Sequence, residues 1–375
     1  MKKSFTIFFL VIIYLPSGSQ SRISLKEPCT PEICMNTNGK WIKSGDDISP
    51  YLKFSKQQQQ EALKRLNELQ YLIFKICPGP KGVDVVWGTT LGNGHFGSLA
   101  KYYVNSDGKI IFDYLKEVIT PSLKYSCSFP AYYCSNKKNE MMAGYTNETG
   151  TFMKIFVNDL QWFAGTPQDD TMTVSQLPVK MKHHVKEMWK GCELMDVPGG
   201  GNARYVLITR KGMLPYIPVT RKQYLHYYFN YLTKFYDDII TKVDIYQPDK
   251  EQRNRQKDAM LKQKNDALKI YRDELENTTA AHLLDAPAIV VSMTPGPGSM
   301  TPGTGNAKIF ITEGEGGQML VTENPAYMRK DLPAYVPQFF LLAWAWESPS
   351  IPHENIRKII ETNFPIEKLQ ALIDK

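Results

Sequence analysis

The chain has 375 residues, 42% hydrophobic and 22% charged, with six cysteines and a formal charge of +7. That balance excludes a disordered, collagen-like or fibrous chain and suits one or two globular domains with a sizeable core. Beyond the first twenty residues no apolar run is long enough to cross a bilayer as a helix.

Lys2 and Lys3 precede an apolar run from Phe5 to Leu15, followed by Pro16, Gly18 and the small residues Ser19 and Ser21. This pattern predicts a cleaved signal peptide over residues 1–21 and a secreted or periplasmic mature protein. Cys29 lies too far downstream to be a lipidated cysteine. In an oxidising compartment, disulfide bonding is the default for Cys29, Cys34, Cys77, Cys127, Cys134 and Cys192. Six cysteines allow fifteen connectivities; proximity favours Cys29–Cys34 and Cys127–Cys134, with Cys77–Cys192 by elimination. No C-x-x-C spacing supports the rival reading, a zinc site.

Residues 22–54 read as an extended, loop-rich lead-in. Ser55 sits where a helix N-cap belongs, and Leu63, Leu66, Leu69 or Tyr71, Ile73 and Ile76 supply a core face up to Pro78-Gly79-Pro80. Val83–Leu91 reads as a strand. Leu99–Val104 and Lys109–Phe112 flank an Asn-Ser-Asp-Gly turn and form a hairpin. Thr151–Asn158 and Leu160–Phe163 read as strands, and residues 179–190 as a short helix. Pro198-Gly199-Gly200-Gly201 is the best boundary, dividing an N-terminal α+β domain (22–197) from a C-terminal one (202–375).

The clearest stretch follows. Tyr205–Thr209 is a β-branched strand, Pro215 and Pro218 keep the connection extended, and Thr220 is an N-cap. Leu225, Tyr228, Phe229, Leu232, Phe235, Tyr236, Ile239 and Val243 then recur at helical spacing and form one broad apolar face. A second helix over 249–278 is almost evenly charged, eight basic residues against seven acidic, and reads as the half-exposed arm of a helical hairpin. Ala288–Met293 is a strand, 294–305 a flexible loop, Lys308–Thr312 with Met319–Thr322 a hairpin, and Gln338–Glu347 a very apolar strand. His353–Thr362 and Ile366–Ile373 read as closing helices.

The fold class is therefore α+β, with antiparallel sheets packed on helices and a projecting helical hairpin at 220–278. The two halves share an order of elements, which suggests two similar helix-plus-sheet units.

Motifs for chemistry are sparse. Gly92, Gly94 and Gly97 match G-x-G-x-x-G, yet the chain continues as a strand where a nucleotide site needs a helix, so no nucleotide is expected. His183, His184 and Glu187 share a helical face if 179–190 is a helix, and are weak metal candidates without a third ligand. A cysteine nucleophile would need His95, His226, His282 or His353, and disulfide use of the cysteines argues against it. Trp87, Trp162, Trp344 and Trp346 fit a core better than a sugar platform.

Charge is the remaining signal. Residues 180–222 hold nine Lys or Arg against Glu187, Glu193 and Asp196, which accounts for the whole excess of the mature chain. Lys186, Lys190, Arg210, Lys211, Arg221 and Lys222 are the candidate anion-binding patch. The expected partners are an anionic polymer, glycan or cell-envelope component, and another protein through the helical hairpin. No cofactor is expected. The reading is a non-catalytic binding protein; the alternative is an exported hydrolase whose acidic or metal-dependent site the sequence does not locate.

Overall fold

The computed structural model describes residues 22–375 apart from 51, 53, 95–99, 105–109, 115–119, 145–149, 161–178, 182–183, 197–200, 279 and 291–307. The signal-peptide expectation, the 294–305 loop and the Leu160–Phe163 strand beyond Leu160 lie outside the described residues. Among the described residues, helices and antiparallel or mixed sheets together make an α+β fold. No helix there is long and apolar enough to cross a membrane.

The lead-in is more structured than its sequence suggests. It forms β1 (Arg22–Ser24), α1 (Pro31–Asn36) and β2 (Trp41–Ile48). Thr30 caps α1 by accepting from the Ile33 amide, with Pro31 in the first turn. β2 has no buried residue along its length, so it shows no apolar alternation. Its order comes from a parallel ladder to β3 (Val85–Gly94), and Gly88 admits the β2 bulge, since a Cβ there would lie 2.8 Å from the Gly45 carbonyl.

Between them, α2 (Lys56–Ile76) starts at a full capping box: Gln58 N donates to Ser55 Oγ at 3.2 Å and Ser55 N to Gln58 Oε1 at 2.8 Å. Ala62, Leu66, Leu69 and Ile73 are buried at helical spacing, whereas Tyr71 is 55% exposed.

The chain continues through β4 (Ala100–Val104), β5 (Ile110–Tyr114), β6 (Thr120–Ser128), β7 (Ala131–Cys134), β8 (Glu140–Gly144) and β9 (Phe152–Val157). Then come β10 (Val179–Lys180), β11 (His184–Trp189), β12 (Cys192–Asp196), β13 (Ala203–Ile208) and β14 (Tyr216–Pro218). The helices α3 (Arg221–Tyr246), α4 (Lys250–Asn277) and α5 (Ala281–Asp285) precede β15 (Ile289–Val290), β16 (Gln318–Glu323) and β17 (Phe340–Ala345). α6 (Ile351–Asn363) and α7 (Ile366–Gln370) close the chain.

The central sheet runs β11-β12-β13-β17-β9-β6-β3-β2, antiparallel except for β2 against β3. It draws strands from both sides of the connection at 197–202. One face buries Leu123, Tyr125 and Cys127 of β6, Met153, Ile155 and Val157 of β9 and Phe340, Leu342 and Trp344 of β17 in one core cluster with α2, α6 and α7. On the other face, Phe156, Leu341, Ala343, Tyr205 and Leu207 pack with Tyr216, Val321 and Tyr327 from around the smaller sheet β10-β16-β14.

The helical hairpin forms as its pattern predicts. Thr220 and Gln223 make a capping box for α3, and Leu225, Tyr228, Leu232 and Tyr236 are buried. They meet Ala267, Leu268 and Tyr271 of α4, with Tyr228 stacked on Tyr271 at 5.7 Å. Each aliphatic or aromatic side chain so covered contributes about 1.5–3 kcal/mol. α4 buries those three residues and leaves Leu261 44% exposed. At the hairpin tip Ile245 and Tyr246 are 69% and 77% exposed.

Several expectations are corrected. Residues 184–189 form strand β11, not a helix: Lys190 and Gly191, with φ of 49° and 77°, make a two-residue turn that pairs β11 with β12. Residues 308–312 form no strand, because Thr312 and Glu315 close a capping box around a single 3-10 turn. The two halves are not copies, since α2 packs on the central sheet while α4 packs on α3.

The disulfide pairing also differs. Cys29 bonds Cys134 at 2.23 Å, while Cys34, Cys77, Cys127 and Cys192 are unpaired and buried. The 128–131 turn sends β7 into a sheet with β8 and β1, carrying Cys134 away from Cys127. Cys127 remains in the main core with its thiol directed at the Met153 carbonyl, 3.6 Å away. Cys77 and Cys192 belong to the same core without joining.

Candidate functional site

On the face of the central sheet away from α2, β6 alternates Ser122, Lys124, Ser126 and Ser128, and β9 contributes Phe152, Lys154 and Phe156. The register places Ser126 opposite Lys154 and Lys124 opposite Phe156, so the two lysines are diagonal neighbours on one face. Both are half-buried. Burial pushes the Lys154 ammonium down to about 8, and the positive charge of Lys124 adds to the effect. Burial also lowers Lys124, opposed by the carboxylates of Asp47 and Asp159. The Lys154 ammonium stands 4.3 Å from the Phe152 ring centre.

The rim of this face is anchored by short polar contacts. Ser122 Oγ donates to Asp159 Oδ2 at 2.5 Å, and Asp159 is 2% exposed. Asn158, at φ 57°, accepts the Gln338 amide at 2.7 Å and donates to the Val336 carbonyl at 2.8 Å, which ties the end of β9 to the lead into β17. On the opposite face, where Thr89 pairs with Tyr125, Thr89 Oγ1 donates to Asp46 Oδ1 at 2.6 Å at the β2 edge, while Lys43 pairs with Asp46 Oδ2 at 2.8 Å.

Two ammonium groups on a half-desolvated face attract an anion, while the neighbouring Ser122 and Ser126 hydroxyls donate to Asp159 and to the Gly88 carbonyl. A lysine near pKa 8 is also a competent nucleophile toward carbonyls. The sequence marks neither lysine: residues 114–146 read as irregular, which gives Lys124 no face, and the Thr151–Asn158 strand has no recognisable partner for Lys154.

The residues expected to bind anions have mixed roles. Lys190 Nζ donates to the carbonyls of Thr362 and Phe364 at 2.7 and 2.8 Å, where it caps the C-terminus of α6. Arg210 pairs with Asp374 and donates to Gln338 Oε1 at 3.1 Å, with its guanidinium over the Tyr327 ring. Arg221 lies 4.9 Å from the Phe310 ring centre at the start of α3. Lys211 and Lys222 are exposed, and Lys186 lies within β11.

The remaining candidates are more scattered. His183 lies outside the described residues; His184 and Glu187 sit on a strand, so the helical spacing behind a metal pair does not apply. Gly92 and Gly94 are paired positions of β3, and Gly97 lies outside the described residues. His226 and His282 are exposed, on α3 and α5, and His95 is not described. His353 is fully buried, with Nε2 2.9 Å from the Phe129 carbonyl and Nδ1 3.2 Å from Glu347. Its pKa is pushed down, chiefly by burial. Trp344 is buried in the core, and Trp346 Nε1 donates to Glu354 at 2.9 Å.

Among the described residues, Asp46, Glu315, Asp331, Glu354 and Asp374 are held below the ordinary carboxylate range. For Asp46, burial pushes upward but Lys43 and Thr89 outweigh it. A small cleft lined by Arg65, Leu66, Glu68, Leu69, Leu123, Tyr335 and neighbouring apolar groups lies between α2 and the C-terminal segment. The one further cluster of metal-ligating side chains among the described residues is Cys29, Cys34 and Cys134. Comparison with protein-family models, with curated proteins and with solved structures found no match to this chain.

Proposed function

We propose that the chain is an exported, non-catalytic binding protein whose Lys124–Lys154 pair receives an anionic group of a glycan or cell-envelope polymer. The observation that carries this reading is the lysine pair itself. Lys154 is held near pKa 8 by burial and by a like charge, so a bound anion favours its charged form. A protein partner at the helical hairpin is a second reading, favoured by the exposed Ile245 and Tyr246 at its tip.

Retention on heparin and affinity for an anionic oligosaccharide test the lysine site. Wild type should bind at pH 6.5 and bind progressively more weakly as pH rises above about 8. Lys124→Gln with Lys154→Gln should elute at lower salt than Lys262→Gln with Lys269→Gln, a pair of equal charge on α4. Equal elution of the two double variants rejects the site. Turnover of the oligosaccharide would replace binding with the hydrolase alternative.

A further inference from the structure

The N-terminal segment and the β7–β8 hairpin bring three sulfurs together, well apart in function from the lysine face. Cys34 Sγ is 3.4 Å from Cys29 Sγ and 3.7 Å from Cys134 Sγ, and all three atoms lie within 4.8 Å of one another. One disulfide accounts for two of the three. Cys34 is almost equidistant from both bridged sulfurs, so it lies beside their bond and not along its extension. Thiol–disulfide exchange attacks one sulfur while the other leaves, and this broadside position does not favour it.

A triangle of sulfurs does suit a shared central ion. With metal–sulfur bonds of about 2.3 Å, three thiolates around one ion stand about 3.8 Å apart in a tetrahedral arrangement and about 4.0 Å apart in a trigonal plane, a few tenths of an ångström beyond the Cys34 separations. The surroundings are apolar and soft. Cys34 clusters with Tyr132, Met141 and Ala143, and Ile23 and Leu25 pack against them. Met141 is wholly buried and directly opposite Cys134 in the β7–β8 ladder, so its thioether shares that face. Among the described residues, the metal-ligating cluster contains no imidazole or carboxylate.

We propose that, once the Cys29–Cys134 bridge is reduced, Cys29, Cys34 and Cys134 form a three-thiolate site for Cu(I). A dithiol or phosphine supplies two electrons, the bridge takes up two protons and becomes two thiols, and the ion then displaces thiol protons. Zinc prefers a fourth ligand in a tetrahedron. Three thiolates in apolar, sulfur-rich surroundings select the softer, monovalent ion. In the oxidised protein the same residues are a staple with one spare thiol, so oxidation state decides whether they bind metal.

The test uses the whole chain from residue 22, reduced with a phosphine, desalted without oxygen and titrated with Cu(I) against a chromophoric chelator. A parallel titration uses Zn(II). One Cu(I) per chain is expected, held more tightly than zinc, with none held by the oxidised protein. Cys34→Ser leaves both bridging cysteines in place and should weaken Cu(I) binding beyond the roughly 10–100-fold typical of a lost outer-shell partner. Equal copper binding by wild type and Cys34→Ser means adventitious thiol binding only and overturns the proposal. Tighter zinc than copper also overturns it, as does loss of far-UV dichroism on reduction that Cu(I) fails to restore.

Discussion

Arg210 and Asp374 close the molecule on itself: Arg210 Nε donates to Asp374 Oδ2 at 2.6 Å, and Nη2 pairs with the other carboxylate oxygen. The fork joins the end of β13 to the penultimate residue, and both side chains are only about one-fifth exposed, at 19% and 22%. Arg210, one of the candidate anion-binding residues, is thereby a tether between β13 and the C-terminal segment.

That tether has a defined pH dependence. Asp374 is held below the ordinary carboxylate range, first by its hydrogen bond from Arg210. A carboxylate with a depressed folded pKa stabilises the protein above its unfolded value and loses that contribution as pH falls through the folded one. Arg210→Ala should cost about 2 kcal/mol in urea unfolding at pH 7. Its deficit against wild type should shrink below about pH 4. A deficit unchanged down to pH 2 would place the effect in packing over the Tyr327 ring.

The helical hairpin has a buried arm and an exposed one. Leu232 is 6% exposed within the α3–α4 cluster, whereas Gln263 is exposed on α4. Leu232→Asp should destabilise by more than about 3 kcal/mol, because it places an unpaired carboxylate among aromatic rings. Gln263→Ala should stay within about 0.5 kcal/mol of wild type. Similar denaturation midpoints for the two variants would contradict this arrangement of faces.

Peptide mapping checks the cysteine arrangement. The peptide with Cys29 should be linked to the one with Cys134, and four thiols should alkylate after unfolding without reductant. The bridge spans 105 residues, so Cys134→Ser should cost about 2–5 kcal/mol. A Cys127–Cys134 link would instead require β7 to lie elsewhere.

Lys154 should titrate as a perturbed amine. Its folded pKa of about 8 lies below the unfolded value of about 10.4, so its charge opposes folding at neutral pH and the opposition fades as pH rises between the two. Lys124→Gln removes a like charge and should raise the Lys154 pKa, though not to the unfolded value, because burial is the larger cause. Rates of amine acylation against pH would measure it. An unchanged midpoint in Lys124→Gln would show that the two ammonium groups do not interact.

Local chemistry made some of this protein legible from its sequence alone. Ser55 with Gln58 and Thr220 with Gln223 are capping signals complete within four residues, and the apolar rows of α2 and α3 follow from the helical period. The strands β9, β13 and β17 carry enough apolar residues to be recognised without partners. β2 and β11 do not, because their order comes from neighbouring strands supplied by distant sequence.

Tertiary structure decided what the charges and sulfurs do. Lys124 and Lys154 are 30 positions apart and become neighbours only through the β6–β9 register. Arg210 meets Asp374, and Lys190 meets the end of α6, because β13 and the β11–β12 turn pack beside the C-terminal segment. Cys134 leaves Cys127 for Cys29 since one turn transfers the chain between sheets. Helix periods and caps are properties of adjacent residues; pairing across a sheet is a property of the whole chain, set by which long-range ladders bury the most apolar surface together.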